Sequence, residues 1–133
     1  MSKNAIYVIA NDLALILGKE YELELCSSTL ISFSNPKGGY TELSRLSGGN
    51  VYCLSYTEGV GKETNYYEGT IHNDNALLDA CSTIGIFDMI RKESERLLAK
   101  AEELESDCPF DRKTKNEILS RLLNIDRILD AGA

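Results

Sequence analysis

Near residue 73 the chain changes physical style, and that change limits the folds open to it. All seven tyrosines and eight of the ten glycines precede this point, whereas 22 of the 35 charged residues follow it. Tyrosine suits a pleated, half-buried surface, and glycine punctuates tight turns. Charge interleaved with apolar residues at helical spacing marks amphipathic helices. The sequence therefore predicts an α+β fold within a single domain of 133 residues. An N-terminal antiparallel β-sheet meander, residues 1–72, precedes a C-terminal helical arm of two long helices, residues 73–133.

The β half is read from alternation. Tyr21, Leu23 and Leu25 are expected on one face of a strand, with Glu20, Glu22 and Glu24 on the other. Thr29 to Ser34, Tyr40 to Leu46, Val51 to Tyr56 and Glu63 to Ile71 complete about five strands. Asn35-Pro36-Lys37-Gly38-Gly39, Ser47-Gly48-Gly49-Asn50 and Glu58 to Lys62 serve as turns. No helix-length crossover separates these strands, which argues for a meander rather than βαβ units. The C-terminal helices are expected to cover one face of the sheet. Upstream, Ala5 to Ile9 and Leu13 to Leu17 fit either buried strand or buried helix, because a short apolar run carries no period.

Beyond residue 73 the period becomes helical. Asp74 and Asn75 offer N-cap chemistry for a helix bearing Leu77, Leu78 and Cys81. Ile86, Ile90, Leu97, Ala101 and Leu104 continue at helical spacing, with Gly85 as a point of division. A last helix is expected to be capped by Asp111, or by Thr114 with Glu117 as a capping box. Seven of its twelve positions from Ile118 to Leu129 are apolar. That stripe is wider than one contact face needs, so the helix is expected to be sandwiched, either between the sheet and the first helix or between subunits. The second reading is preferred and predicts a homo-oligomer formed through residues 112–130, with Leu122 and Ile125 at its interface.

Composition excludes several classes. No unbroken apolar run exceeds the six residues of Ala5 to Ala10, too short to span a bilayer, and no secretory leader is recognisable after Met1, so a cytoplasmic location is expected. The net charge of −7 disfavours binding to nucleic acid. Cys26, Cys53, Cys81 and Cys108 lack paired CxxC spacing and there is one histidine, so neither a metal nor another cofactor is expected. Glu58 to Thr64 resembles a phosphate loop only in outline. Tyr56 stands where its first glycine belongs, and Glu63 follows the lysine. His72 has no nucleophile nearby in sequence, and no catalytic motif is present, so an enzyme is not expected.

What remains is chemistry for binding. Tyr66 and Tyr67 place adjacent rings on opposite faces of a strand, leaving one to face outward. Phe87 lies four residues before Arg91, so a helix presents an aromatic ring and a guanidinium together. Arg112, Lys113 and Lys115 form a cationic cluster at a helix N-terminus, against the helix dipole. Tyr66, Phe87, Arg91, Arg112 and Lys115 are the candidate ligand-binding residues, suited to stacking a base and holding phosphates. Competing structural readings are core packing for Phe87 and an i,i+4 pair with Glu95 for Arg91.

In layout, the β run Tyr21 to Ile71 followed by the arm Leu77 to Leu129 resembles the phage Thoeris anti-defence sponges. Those proteins sequester cyclic ADP-ribose-type immune signals without cleaving them. The resemblance implies a non-enzymatic sponge in the host cytoplasm, with Phe87, Arg91 and Arg112 near a subunit interface holding base and phosphates. The alternative is an acidic inhibitor or immunity protein that masks the basic site of a protein partner.

Overall fold

The computed structural model describes residues 5–46 and 50–132. Its element order is α1 (Ala5–Leu17), β1 (Glu22–Cys26), β2 (Leu30–Ser34), β3 (Tyr40–Arg45), β4 (Val51–Thr57), β5 (Thr64–Thr70), α2 (Asp74–Thr83), α3 (Ile86–Glu103) and α4 (Pro109–Gly132). The expected turn at Ser47-Gly48-Gly49 lies outside the described residues. The chain divides into two compact units, Met1–Ile86 and Phe87–Ala133. The division falls after α2 rather than at residue 73, because α2 packs on α1 and β5.

In the first unit the five strands form one antiparallel sheet in sequence order, as a meander requires. Directly paired residues share a face, so the register sorts the side chains. Ile31, Leu43 and Leu54 lie in one cross-strand row, and Phe33, Thr41 and Tyr56 in the next. All six are buried. α1 packs against β3 and α2 against β5, so helices from both ends of the unit lie on the sheet. The expectation that cover comes from the C-terminal arm is thus incomplete: α1 contributes too. The open question over the first residues resolves as one helix, since Ile6, Ile9, Ala10, Leu13, Ile16 and Leu17 are its buried positions. Their three- and four-residue spacing is one helical face.

β1 corrects the alternation read from sequence. Leu23 pairs with Phe33, but Leu25 pairs with Ser32, so a bulge at Glu24 intervenes. The extra residue turns Leu25 onto the opposite face from Leu23. Every residue of β1 is exposed, as befits an edge strand, and only Tyr21 before it is buried. The bulged Glu24 carboxylate accepts a 2.6 Å hydrogen bond from the Ser34 hydroxyl.

α2 is capped by Asn73, whose side-chain oxygen accepts from the Ala76 amide at 2.9 Å. The cap therefore sits one residue before the expected Asp74. Gly85, at φ 92°, follows α2 and separates it from α3. That left-handed conformation costs a residue with a Cβ roughly 1–2 kcal/mol. The Asn65 side-chain amide donates to the Ile84 carbonyl at 3.0 Å, tying β5 to the end of α2. Cys81 is fully buried on α2, and burial pushes its thiol up to about 12. All four cysteines are free thiols.

The second unit is a helical hairpin. Glu93 of α3 receives two hydrogen bonds from Arg121 of α4, at 3.0 and 3.2 Å. The two side chains are 12% and 14% exposed respectively. With only Leu104–Cys108 connecting the helices, this pairing makes them antiparallel. α4 starts at Pro109, ahead of either expected cap, and proline suits a first helical position. Asp111 instead accepts from the Glu105 amide, pinning the connection, and Thr114 lies inside the helix with its hydroxyl on the Phe110 carbonyl. Ile118 and Ile125 are buried, whereas Leu119 and Leu123 are 45% and 61% exposed.

Candidate functional site

The sheet's second face is polar and holds the more coherent set of functional side chains. The register puts Glu42, Ser55 and Tyr66 in one row across β3, β4 and β5. Tyr40, Thr57 and Thr64 form the next row. The Thr57 and Thr64 hydroxyls are 2.6 Å apart. Hydrogen bonds from both hold the Tyr40 phenol below its ordinary pKa. Small hydroxyl residues keep this surface low, and the Tyr66 ring, 66% exposed, stands above it.

The charge on this face has one sign. Among the strand residues the acids are Glu22, Glu24, Glu42 and Glu68 and the sole base is Arg45. Arg45 pairs with Tyr52, on the apolar face. Burial, then the carboxylates of Glu68 and Glu42, raise the Cys53 thiol above its ordinary value. That thiol is therefore held protonated and is a poor nucleophile.

The five residues expected to bind a ligand are divided between the two units. Tyr66 is outward-facing, as the alternation of Tyr66 and Tyr67 requires, and belongs to the first unit. The other four belong to the helical unit. Phe87 is 4% exposed, so its ring is core rather than a stacking platform. Arg91 is exposed and pairs with Asp88 at 3.0 Å, not with Glu95. Arg112 is exposed and, with Lys113 and Asn116, lines a shallow depression along α4, while Lys115 is half-buried. The Glu93–Arg121 pairing puts Phe87 and Arg112 at opposite ends of the hairpin. At 1.5 Å per residue they are separated by about 22 Å along its axis, and Arg91 from Arg112 by about 16 Å. No single mononucleotide contact bridges the first of these distances.

A cleft of about 260 Å³ in the first unit was not legible from sequence. Val8, Ile9 and Leu77 supply apolar wall, and Asp12, His72 and Asp74 bring polar groups to it. The hydrogen-bonded Asp74 carboxyl, with burial and like charge adding, pushes Asp12 up to about 6. Asp12 thus keeps its proton below that pH. They stand 62 positions apart in the chain and meet because α2 packs on α1.

Among the described residues, no three His, Cys, Asp or Glu side chains are grouped to hold a metal ion. No helix there is long and apolar enough to cross a membrane. Comparison with protein-family models, with curated proteins and with solved structures returns no match.

Proposed function

We propose that this chain is a non-enzymatic cytoplasmic binding protein that covers a basic surface of a protein partner with the polar face of its sheet. The supporting observation is a face carrying Glu22, Glu24, Glu42 and Glu68 with no strand cation among them. Such a field attracts a cationic surface and repels phosphates. Tyr66 and Tyr40 add amphipathic contact area of the kind enriched at interfaces. Short hydroxyls of Thr57 and Thr64 set beside the Tyr40 and Tyr66 rings suit a broad contact, which favours a macromolecular partner.

Sequestration of a nucleotide signal, in the manner of the anti-defence sponges, is the second reading. Its support is the exposed Arg112 and Lys113 beside Asn116 on α4. One pair of measurements separates the two. Affinity selection from a proteome with wild-type protein and with Glu42→Lys/Glu68→Lys as baits is expected to enrich basic proteins only on the former, in a salt-sensitive manner. Equal enrichment on both baits defeats the proposal. Intact nucleotide released by heating the purified protein, and lost in Arg112→Ala/Lys113→Ala, establishes the sponge instead.

A further inference from the structure

α4 carries an exposed stripe that the hairpin does not use. Arg112, Asn116, Leu119, Leu123, Asp126 and Asp130 follow one another at spacings of four, three, four, three and four residues. This is the seam spacing of a coiled coil. All six are exposed, in contrast to Ile118, Ile125 and Arg121 on the face turned to α3.

The order of chemistry along the stripe is self-complementary when reversed. The spacing is palindromic, so a second α4 laid antiparallel pairs each residue with one whose number sums to 242. Arg112 then meets Asp130, Asn116 meets Asp126, and Leu119 meets Leu123, with each contact made twice about a two-fold axis level with Arg121. A parallel arrangement places Arg112 on Arg112 and Asp130 on Asp130.

The charge placement has a second consequence. Cations near a helix N-terminus and anions near its C-terminus both oppose the macrodipole. The last turn of α4 holds no basic residue, and Arg112, Lys113 and Lys115 crowd its start. An antiparallel neighbour sets the acidic end of one helix against the basic end of the other and relieves both. We propose that a second copy of this chain docks along this stripe, forming a two-fold antiparallel α4–α4 dimer with Leu119 and Leu123 at its centre and Arg112–Asp130 pairs at its ends. This rests on α4 alone and is independent of the partner read for the sheet. It also moves the interface away from Leu122, half-buried, and Ile125, fully buried within the chain. In the dimer Arg112 is engaged by a carboxylate and is withdrawn from any phosphate.

Sedimentation equilibrium of the intact protein tests it. The wild type is expected to be a dimer at about 100 µM, and Leu123→Glu a monomer of unchanged helicity, weakened at least about a hundredfold. Arg112→Asp is expected to weaken association about tenfold, because it sets like charges together at both ends of the pair. Arg112→Asp with Asp130→Arg is expected to restore it. A monomeric wild type overturns the proposal, as does an assembly indifferent to Leu123→Glu. Failure of the double exchange to recover what the single one loses overturns the antiparallel register, and with it the proposal.

Discussion

The two units hold themselves together differently. In the first, Ile6, Leu13, Leu43, Leu54, Ile71 and Leu77 are at most 2% exposed and come from α1, β3, β4, the β5–α2 connection and α2. Cohesion is spread across a continuous apolar layer, in which each side chain touches several others. In the helical unit the cross-hairpin contact with the strongest directionality is polar: Arg121 held in two places by Glu93. A sheet packed by helices tolerates polar decoration on its far face. A two-helix hairpin has little interior and relies on a specific clasp to set its register. Functional variation is therefore expected on the sheet's outer face, and structural constraint at single points of the hairpin.

Replacing Leu54 by alanine strikes the first kind of cohesion at its centre and is expected to cost about 3 kcal/mol in chemical denaturation. A loss below about 1 kcal/mol contradicts a continuous core there. Arg121→Ala strikes the second kind. It leaves the half-buried Glu93 without its two charge-assisted bonds, and about 2 kcal/mol is expected to be lost from the helical signal. If Arg121→Ala proves harmless while Ile125→Ala does not, the hairpin is held by apolar packing like the sheet unit, and the contrast fails.

The smallest effect concerns the seam of α1 and α2. A carboxyl whose folded pKa is raised holds its proton more tightly when folded. The contribution of Asp12 is thus fully present below its unfolded value of 3.8 and is lost as pH rises through about 6. Above that pH the charged Asp12 and Asp74 repel. Asp12→Asn removes the repulsion and is expected to stabilise the fold by about 1 kcal/mol at pH 7, after allowance for solvent screening. Little or no gain is expected at pH 4. Thermal melts of both forms at the two pH values measure it, and an equal gain at both shows that the carboxyl pair is not its cause.

Where the sequence was readable, a periodic pattern met no local exception. The Tyr52, Leu54 and Tyr56 alternation gives β4 its buried face directly, because no bulge interrupts it. The equally clean alternation before Cys26 misleads, because the bulge at Glu24 depends on how β2 pairs with it. Phe87 and Arg91 do fall on one helix near each other, but their distance from Arg112 follows from the hairpin register, which the pairing of Glu93 with Arg121 reveals. The carboxyl pair of Asp12 and Asp74 belongs to tertiary packing alone and leaves no pattern in the chain. Of the residues chosen for ligand binding, Tyr66 keeps an outward role because strand alternation is a local rule.

Cys81 gives the first unit a built-in clock. With its thiol fully buried and pushed up to about 12, it carries almost no thiolate at neutral pH and offers an alkylating reagent no approach. Cys26 lies exposed on the edge strand of the same unit and is open to reagent in the folded state. Modification of Cys81 must then wait for the layer of α1 and α2 to part from the sheet, so its labelling rate counts openings of the core directly, with Cys26 as the internal measure of reagent.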